Sequence, residues 1–344
     1  MDFMEFFFDL TKKRCKVISI VGLAKNSGKT TILNYIIKNL DYNTKLGISS
    51  IGRDGEPYDI ITNLPKPLIF IKKNTIIATA EDTIEASEVQ VRTIKTSPYN
   101  TPLGYIKIVE AINDGFIELA GPSINNQLFA INGEFKKLGC DLILIDGAFD
   151  RKSYATPLIS DCVILSTGAS VSEKMEVVID KTIHTVNILT LPREESIKIR
   201  QFAKDIFKKA KVGFINNSYK AIYLNISTLL GYEKQILDGI NEDIDYLVVR
   251  GALTDKLLKM LIKEHRYKKK ITIIIEDATK LFVERKVFSN FLQTGNEIKV
   301  MKAINLIAIA INPTSPYGYR FESSKFMEKL KLKTKIPVFD IGIQ

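Results

Sequence analysis

The stretch that most constrains the fold is a short apolar strand that runs into a glycine-containing loop and then into a helix. The strand is VISIVG, residues 17–22, and the loop closes on Gly-Lys-Thr-Thr, residues 28–31. Apolar residues then recur at helical spacing, namely Ile32, Leu33, Ile36, Ile37 and Leu40. This order predicts a phosphate-binding loop, whose backbone N–H groups and helix N-terminus would hold the phosphates of a nucleotide.

The residue types in this loop predict a role for each position. We expect Lys29 to reach the β- and γ-phosphate oxygens and the Thr30 hydroxyl to ligand Mg²⁺. The loop backbone would hold the remaining phosphate oxygens. The expected nucleotide-binding set is therefore Gly22, Asn26, Ser27, Gly28, Lys29, Thr30 and Thr31.

Phosphate chemistry also needs an acidic residue near the metal, at the end of a strand beside the loop strand. Asp146 fits, because four apolar residues precede it and Gly147 follows; the alternative is that it caps a helix. We expect Asp146 to complete the Mg²⁺ shell and to act in catalysis. Asp150 and Arg151 follow closely and would add an acid and a cation at the same edge.

A third polar segment, residues 49–56, follows the second predicted strand. Gly52 and Gly55 would let its backbone change conformation, as a nucleotide-dependent switch requires. We expect Asp54 to be a catalytic acid beside either the water or the metal. The alternative is that this segment is an ordinary surface turn. Arg53 would pair with a phosphate or with a partner's carboxylate.

Composition narrows the class of protein. With 344 residues, 45% of them hydrophobic, the chain can bury a large core, and no segment approaches the roughly 20 apolar residues of a membrane span. The amino-terminal apolar run is too short for a signal sequence. The three cysteines, Cys15, Cys140 and Cys162, have no metal-like spacing, which favours reduced thiols in a cytoplasmic protein without a membrane partner.

The basic excess lies wholly in the second half. The net charge is +10, of which the residues from Arg193 onward carry +11. No aromatic-interleaved basic motif accompanies this charge, so we expect a docking face for an acidic partner rather than a nucleic-acid site.

Alternating strands and helices predict an α/β protein with a mostly parallel sheet. Two hairpins are expected, one pairing residues 67–71 with 75–79 and one pairing 104–109 with 116–119. The expected domains are an ATPase core at 1–192 and a basic α/β portion at 193–344, whose last strands (304–341) are candidates to complete the first sheet.

Five residues separate Gly22 from Gly28, one more than in the common phosphate loop. This spacing resembles the dethiobiotin and cobyrinate synthetase branch of P-loop proteins, relatives of the MinD/ParA ATPases in the SIMIBI class. The end of the chain also resembles the closing strands of the dethiobiotin synthetase-like fold, with an apolar strand at 307–311, then Asn312 and Pro313, then a helix and a last strand at 336–339. This second resemblance implies a nucleotide-base contact for Asn312, which otherwise is a turn residue before proline. Lys25 lies one residue later than the signature lysine of those ATPases. Two interpretations of Lys25 therefore stay open: it acts in catalysis across a homodimer, or it is a solvated lysine of the loop.

A wider set of strings resembles one family within this branch. They are residues 22–31, 50–56, 119–123, 145–153 and 165–169, and they resemble the ATPase subunits that reactivate adenosylcobalamin-dependent lysine 5,6-aminomutase. The resemblance implies ATP and Mg²⁺ as cofactors, the aminomutase and a second reactivase subunit as partners, and hydrolysis coupled to the exchange of damaged cobalamin. An ATP-dependent small-molecule ligase of the dethiobiotin or cobyrinate type is the main alternative, and a MinD-like positioning ATPase is a third.

Overall fold

The computed structural model describes residues 2–13, 15–51, 68–149, 156–263 and 270–341. The chain divides into two compact units, which are described separately. Unit 1 comprises Met1–Ile183 and Asn305–Gln344, and unit 2 comprises His184–Ile304. Among the described residues, every helix is too short or too polar to cross a membrane.

Unit 1 contains the predicted strand–loop–helix at its start and the last two strands of the chain. Its elements in chain order are α1 (Phe3–Lys13), β1 (Val17–Gly22), α2 (Lys29–Asn39), β2 (Leu46–Ser50), β3 (Ile69–Ile71), β4 (Ile76–Ala80), α3 (Glu81–Glu85), β5 (Val91–Thr101), β6 (Gly104–Ala111), β7 (Gly115–Ile117), α4 (Asn125–Lys137), β8 (Leu142–Phe149), β9 (Cys162–Gly168) and α5 (Met175–Leu189), which runs on into unit 2. After unit 2 come β17 (Leu306–Asn312), α10 (Ser323–Lys331) and β18 (Val338–Asp340).

A nine-stranded sheet forms the centre of unit 1, in the order β18-β17-β9-β1-β8-β2-β4-β6-β5. The strands from β18 to β4 run parallel, and β6 and β5 are antiparallel additions at one side. Both faces of the sheet are covered. Leu33 and Ile37 of α2 pack on one face and Phe135 of α4 packs on the other, all of them buried. The α/β class is therefore confirmed, and the parallel part of the sheet contains the loop strand β1.

Neither predicted hairpin forms. β3 pairs with β7, and β4 lies between β2 and β6, so the strands on either side of each predicted turn belong to different sheets. The hairpin of this region joins β5 to β6 instead. The prediction was wrong because apolar runs and turn residues mark the strands and turns but do not identify the partner strand.

Unit 2 contains a separate five-stranded sheet in the order β11-β10-β12-β14-β16. Its elements are α6 (Ile197–Lys209), β10 (Val212–Asn216), β11 (Ala221–Leu224), α7 (Glu233–Asp238), β12 (Ile244–Val249), β13 (Leu253–Thr254), α8 (Asp255–Lys263), β14 (Thr272–Ile275), β15 (Leu281–Phe282), α9 (Arg285–Gln293) and β16 (Glu297–Val300). β10 is antiparallel to both of its neighbours, whereas β12, β14 and β16 are parallel. Ile199, Ala203 and Ile206 of α6 pack against this sheet and form the core of the unit.

The cysteines differ from the sequence-based expectation. Cys15 and Cys162 form a disulfide, with Cα atoms 5.7 Å apart, and only Cys140 is a free thiol. The two half-cystines are 147 residues apart in sequence, but they meet because β1 and β9 are adjacent strands. Disulfides are rare in the reducing cytosol. The cysteine content therefore gives no support to a reducing compartment.

We expect thiol titration to show this pairing. The folded, unreduced chain should react very slowly at mildly alkaline pH, because burial raises the pKa of the Cys140 thiol to about 11 and so suppresses its thiolate. Unfolding without reductant should expose one thiol, and unfolding with reductant should expose three. Three reactive thiols before reduction would contradict the disulfide. The Cys140→Ser variant is the control, since it should expose none until the disulfide is reduced.

Candidate functional site

Five adjacent parallel strands end at one edge of the sheet of unit 1. In the order β17, β9, β1, β8 and β2, each strand pairs in parallel with the next. Asn312 lies opposite Gly168, and Gly22 lies opposite Ser166. Asp146 lies between Ile20 of β1 and Ser50 of β2. The sheet therefore brings most of the predicted site residues to the edge where α/β proteins bind ligands.

The loop from β1 to α2 has two residues in the left-handed region of backbone space. Asn26 has a φ of 57° and Gly28 a φ of 100°. Gly28 is the N-cap of α2, and having no side chain, it cannot cap the helix as serine or aspartate would. The first turn of α2 also contains no acidic residue. The positive end of the helix dipole is therefore neutralised neither by a capping side chain nor by an acid in that turn.

The side chain of Lys29 folds back over the start of the loop. A Cβ atom placed on Gly22 would lie 2.9 Å from Lys29 Nζ and 2.6 Å from Ser27 Oγ. Glycine at position 22 thus makes room for the lysine and the serine to approach the backbone closely. Ser27 Oγ is buried and makes no hydrogen bond within the described part of the chain. The geometry is a cradle that combines a lysine, a helix N-terminus and a buried hydroxyl.

Ser166 holds this loop in place, a role that sequence reasoning did not assign. Its hydroxyl donates to the carbonyl oxygen of Ser27 at 2.5 Å, and its own carbonyl oxygen accepts from the Leu23 N–H at 2.8 Å. Ser166 is fully buried in β9, two residues before the strand ends. A serine that ends a run of apolar strand residues next to the loop strand is the signal that would have identified it.

Asp146 is half-buried beside the loop strand. It lies within β8 and so does not cap a helix. The sequence led us to expect that the strand ends at this acid, but it does not. The pairing with β1 continues to Phe149 through a bulge, which gives β8 one extra residue. Gly147 permits this bulge, since a Cβ atom there would lie 2.5 Å from the carbonyl oxygen of Ile20.

Asn312 lies against the loop at the end of β17. A Cβ atom on Gly28 would lie 2.9 Å from the Asn312 Cβ atom, and a Cβ atom on Gly168 would collide with the Asn312 carbonyl oxygen. Its side-chain Oδ1 accepts from the Thr314 N–H at 3.1 Å, as in a turn. Asn312 lies next to the N-terminus of α2, and it also makes the turn contact that was the alternative reading.

The carboxyl end of β2 is fixed by buried hydrogen bonds. Ser50 Oγ accepts from the Gly121 N–H at 3.0 Å, and Ser49 Oγ donates to the Ala78 carbonyl oxygen at 2.8 Å. A Cβ atom on Gly121 would collide with the Ser50 carbonyl oxygen, so only glycine fits there. The predicted switch residues Arg53 and Asp54, and also Asp150 and Arg151, lie outside the described residues.

A shallow depression lies between the loop and the last strands. It is lined by Ser27, Gly28, Thr31, Asn312 and Ile341, among others. Comparison of the chain with protein-family models, with curated protein sequences and with solved structures gives no match.

Proposed function

We propose that unit 1 binds ATP with Mg²⁺ at the loop between β1 and α2 and hydrolyses it. The observation that carries the proposal is the position of Lys29, whose ammonium lies over the loop at the positive end of α2. Two positive centres in one cradle favour an anionic ligand. A β-strand, a glycine loop and a helix with this lysine are the context in which a triphosphate binds.

The residues of the site fit ATP and Mg²⁺. Backbone N–H groups of residues 22–31 and the Lys29 ammonium would hold the phosphates. Thr30 and Asp146 would be the protein ligands of Mg²⁺, which prefers oxygen and takes its other ligands from water and phosphate. The bound metal would supply charge stabilisation to phosphoryl transfer.

We further propose that hydrolysis drives the exchange of damaged cobalamin on an adenosylcobalamin-dependent aminomutase, together with a second reactivase subunit. This part of the proposal is supported by the resemblance of residues 22–31, 50–56, 119–123, 145–153 and 165–169 to reactivase ATPases. The glycine-containing segment 49–56 is consistent with it, because partner-stimulated ATPases need a segment that changes conformation with the nucleotide.

A stimulation assay tests the proposal. Basal ATP hydrolysis should be slow and should rise by about fivefold or more when an aminomutase inactivated by turnover is added. Mutase activity should return in the presence of ATP, Mg²⁺ and fresh adenosylcobalamin. The Asp54→Ala variant should bind ATP but lose the stimulation. If no aminomutase regains activity, and a small carboxylic acid or diamine alone drives ATP turnover, the protein is a small-molecule ligase instead.

A further inference from the structure

Unit 2 has one sheet edge that lacks most of the features that normally prevent edge-to-edge pairing. Natural sheets protect their edges with short strands, bulges, prolines, lysines or a covering segment. The two large sheets have four edge strands, β5, β18, β11 and β16. β5 is protected by Lys95, Pro98 and two register shifts. β18 has three residues and packs against α1 through Phe339.

The two edges of the sheet of unit 2 differ from each other. β16 is covered, because the Val300 N–H donates to the Pro192 carbonyl oxygen at 2.9 Å and the Glu194 N–H donates to the Val300 carbonyl oxygen at 3.0 Å. β11 is short, with the four residues Ala-Ile-Tyr-Leu, but it has no proline, no charged residue and no register shift against β10. β11 is therefore the least protected of the four edges.

The register of β11 shows which of its backbone groups are available. The Asn216 N–H donates to the Lys220 carbonyl oxygen at 3.1 Å, so the pair formed by these residues is a hydrogen-bonded one. Such pairs alternate along antiparallel strands, which places Ala221 and Tyr223 in non-hydrogen-bonded pairs with β10. The N–H and C=O groups of Ala221 and Tyr223 consequently point away from β10, toward the open edge.

The side chains along this edge are apolar and aromatic. Tyr219, Ile222 and Tyr223 are between 41% and 49% exposed. Ala221 and Tyr223 lie on the face that packs against α6, since Ala221 contacts the core of the unit and Tyr223 bonds to Asp205. Ile222 projects from the opposite face. An added strand would therefore meet α6 on one face and an apolar surface on the other.

The charge around the edge is strongly positive. Residues 196–224 contain seven lysines and arginines and one aspartate, a net charge of +6 in a unit whose net charge is +8. On the α6 face, Lys198 lies 3.7 Å from the centre of the Tyr219 ring and Lys209 lies 5.2 Å from that of Tyr223. The one aspartate, Asp205, is already paired with Lys209 at 3.0 Å.

We propose that β11 is a docking site for an acidic segment of a partner protein, which adds to the sheet as an extended strand. Backbone groups of Ala221 and Tyr223 would bond to the segment, acidic side chains would face α6, and apolar ones would lie beside Ile222. The same charge disfavours a second copy of this chain, since like charges would then meet across the new strand pair. This edge belongs to unit 2, and the proposal does not depend on nucleotide binding by unit 1.

A fluorescent peptide of alternating Glu and Val residues tests the proposal on the full chain. Binding measured by fluorescence anisotropy should weaken as salt is raised, and a matching Lys–Val peptide should not bind. Ala221→Pro removes an N–H that points outward and leaves the bonds to β10 intact, so it should weaken binding at least about tenfold. Ala221→Val keeps the N–H and should bind as the parent does.

Charge reversal gives a second, independent test. Lys198→Glu combined with Lys209→Glu should abolish peptide binding, whereas Lys331→Glu combined with Lys335→Glu, the same charge change in unit 1, should not. Circular dichroism verifies that each variant is folded. The proposal would be overturned if the Ala221→Pro variant bound the Glu–Val peptide as tightly as the parent chain does. It would also be overturned if sedimentation showed a dimer of the parent chain that Ala221→Pro dissociates. A third contradicting result is a single-stranded oligonucleotide that displaces the peptide and binds the Ala221→Pro variant with unchanged affinity.

Discussion

Replacing Lys29 with alanine should weaken ATP binding by about tenfold to a hundredfold. A charge-assisted hydrogen bond contributes about 1.5–3 kcal/mol net, and each 1.4 kcal/mol is a factor of ten in affinity. The ammonium lies over Gly22 and beside the N-terminus of α2. Its loss removes the side-chain positive charge of the cradle, so only the loop backbone and the helix dipole remain to hold the phosphates. Isothermal titration calorimetry with ATP and Mg²⁺ measures the change.

The matched control is Lys38→Ala. Lys38 is on the same helix, in its last turn, and its ammonium lies 5.7 Å from the centre of the Phe70 ring. A helix of eleven residues separates the two lysines by more than 10 Å along its axis. The Lys38 variant should bind ATP with unchanged affinity. Unchanged affinity in the Lys29 variant, measured on folded protein, would remove the nucleotide assignment.

The local elements of unit 1 could be predicted because their sequence patterns are local. The strand β1, the glycine at the start of α2 and the apolar face of that helix lie within 24 consecutive residues, 17–40, and the structure confirms the elements. β5 was missed because five of its first six residues are exposed, so it lacks the alternation that indicates a half-buried strand.

Long-range pairing could not be predicted from the same patterns. The disulfide and the two strand pairings of β3 and β4 depend on which strands are neighbours in the sheet, and no local pattern contains that information. The same limit applies to the site. Lys29 and Thr30 follow from one continuous motif, whereas the position of Asn312 beside Gly28 depends on a strand that returns to the first sheet after unit 2. Ser166 was missed for the same reason, because a serine after apolar strand residues points to the loop only once β9 is known to lie beside β1.

The second large effect is expected from Asp146→Asn. This change keeps the shape of the side chain and removes its negative charge, so the variant should still bind ATP. It should lose Mg²⁺-dependent hydrolysis by about a hundredfold or more, because metal-assisted charge stabilisation is worth several kcal/mol and each 1.36 kcal/mol is tenfold in rate. Phosphate release under saturating ATP, with Mg²⁺ varied, measures the effect.

Asp141→Asn is the matched control for this prediction. Asp141 immediately precedes β8, is exposed, and accepts a hydrogen bond from the Lys45 N–H at 3.0 Å. It therefore tests the same substitution beside the same strand, but at the edge of the sheet opposite to the loop. The Asp141 variant should hydrolyse ATP as the parent does. If the Asp146 variant does so too, with the same dependence on Mg²⁺, then the acid that completes the metal shell lies elsewhere, and Asp54 becomes the next residue to replace.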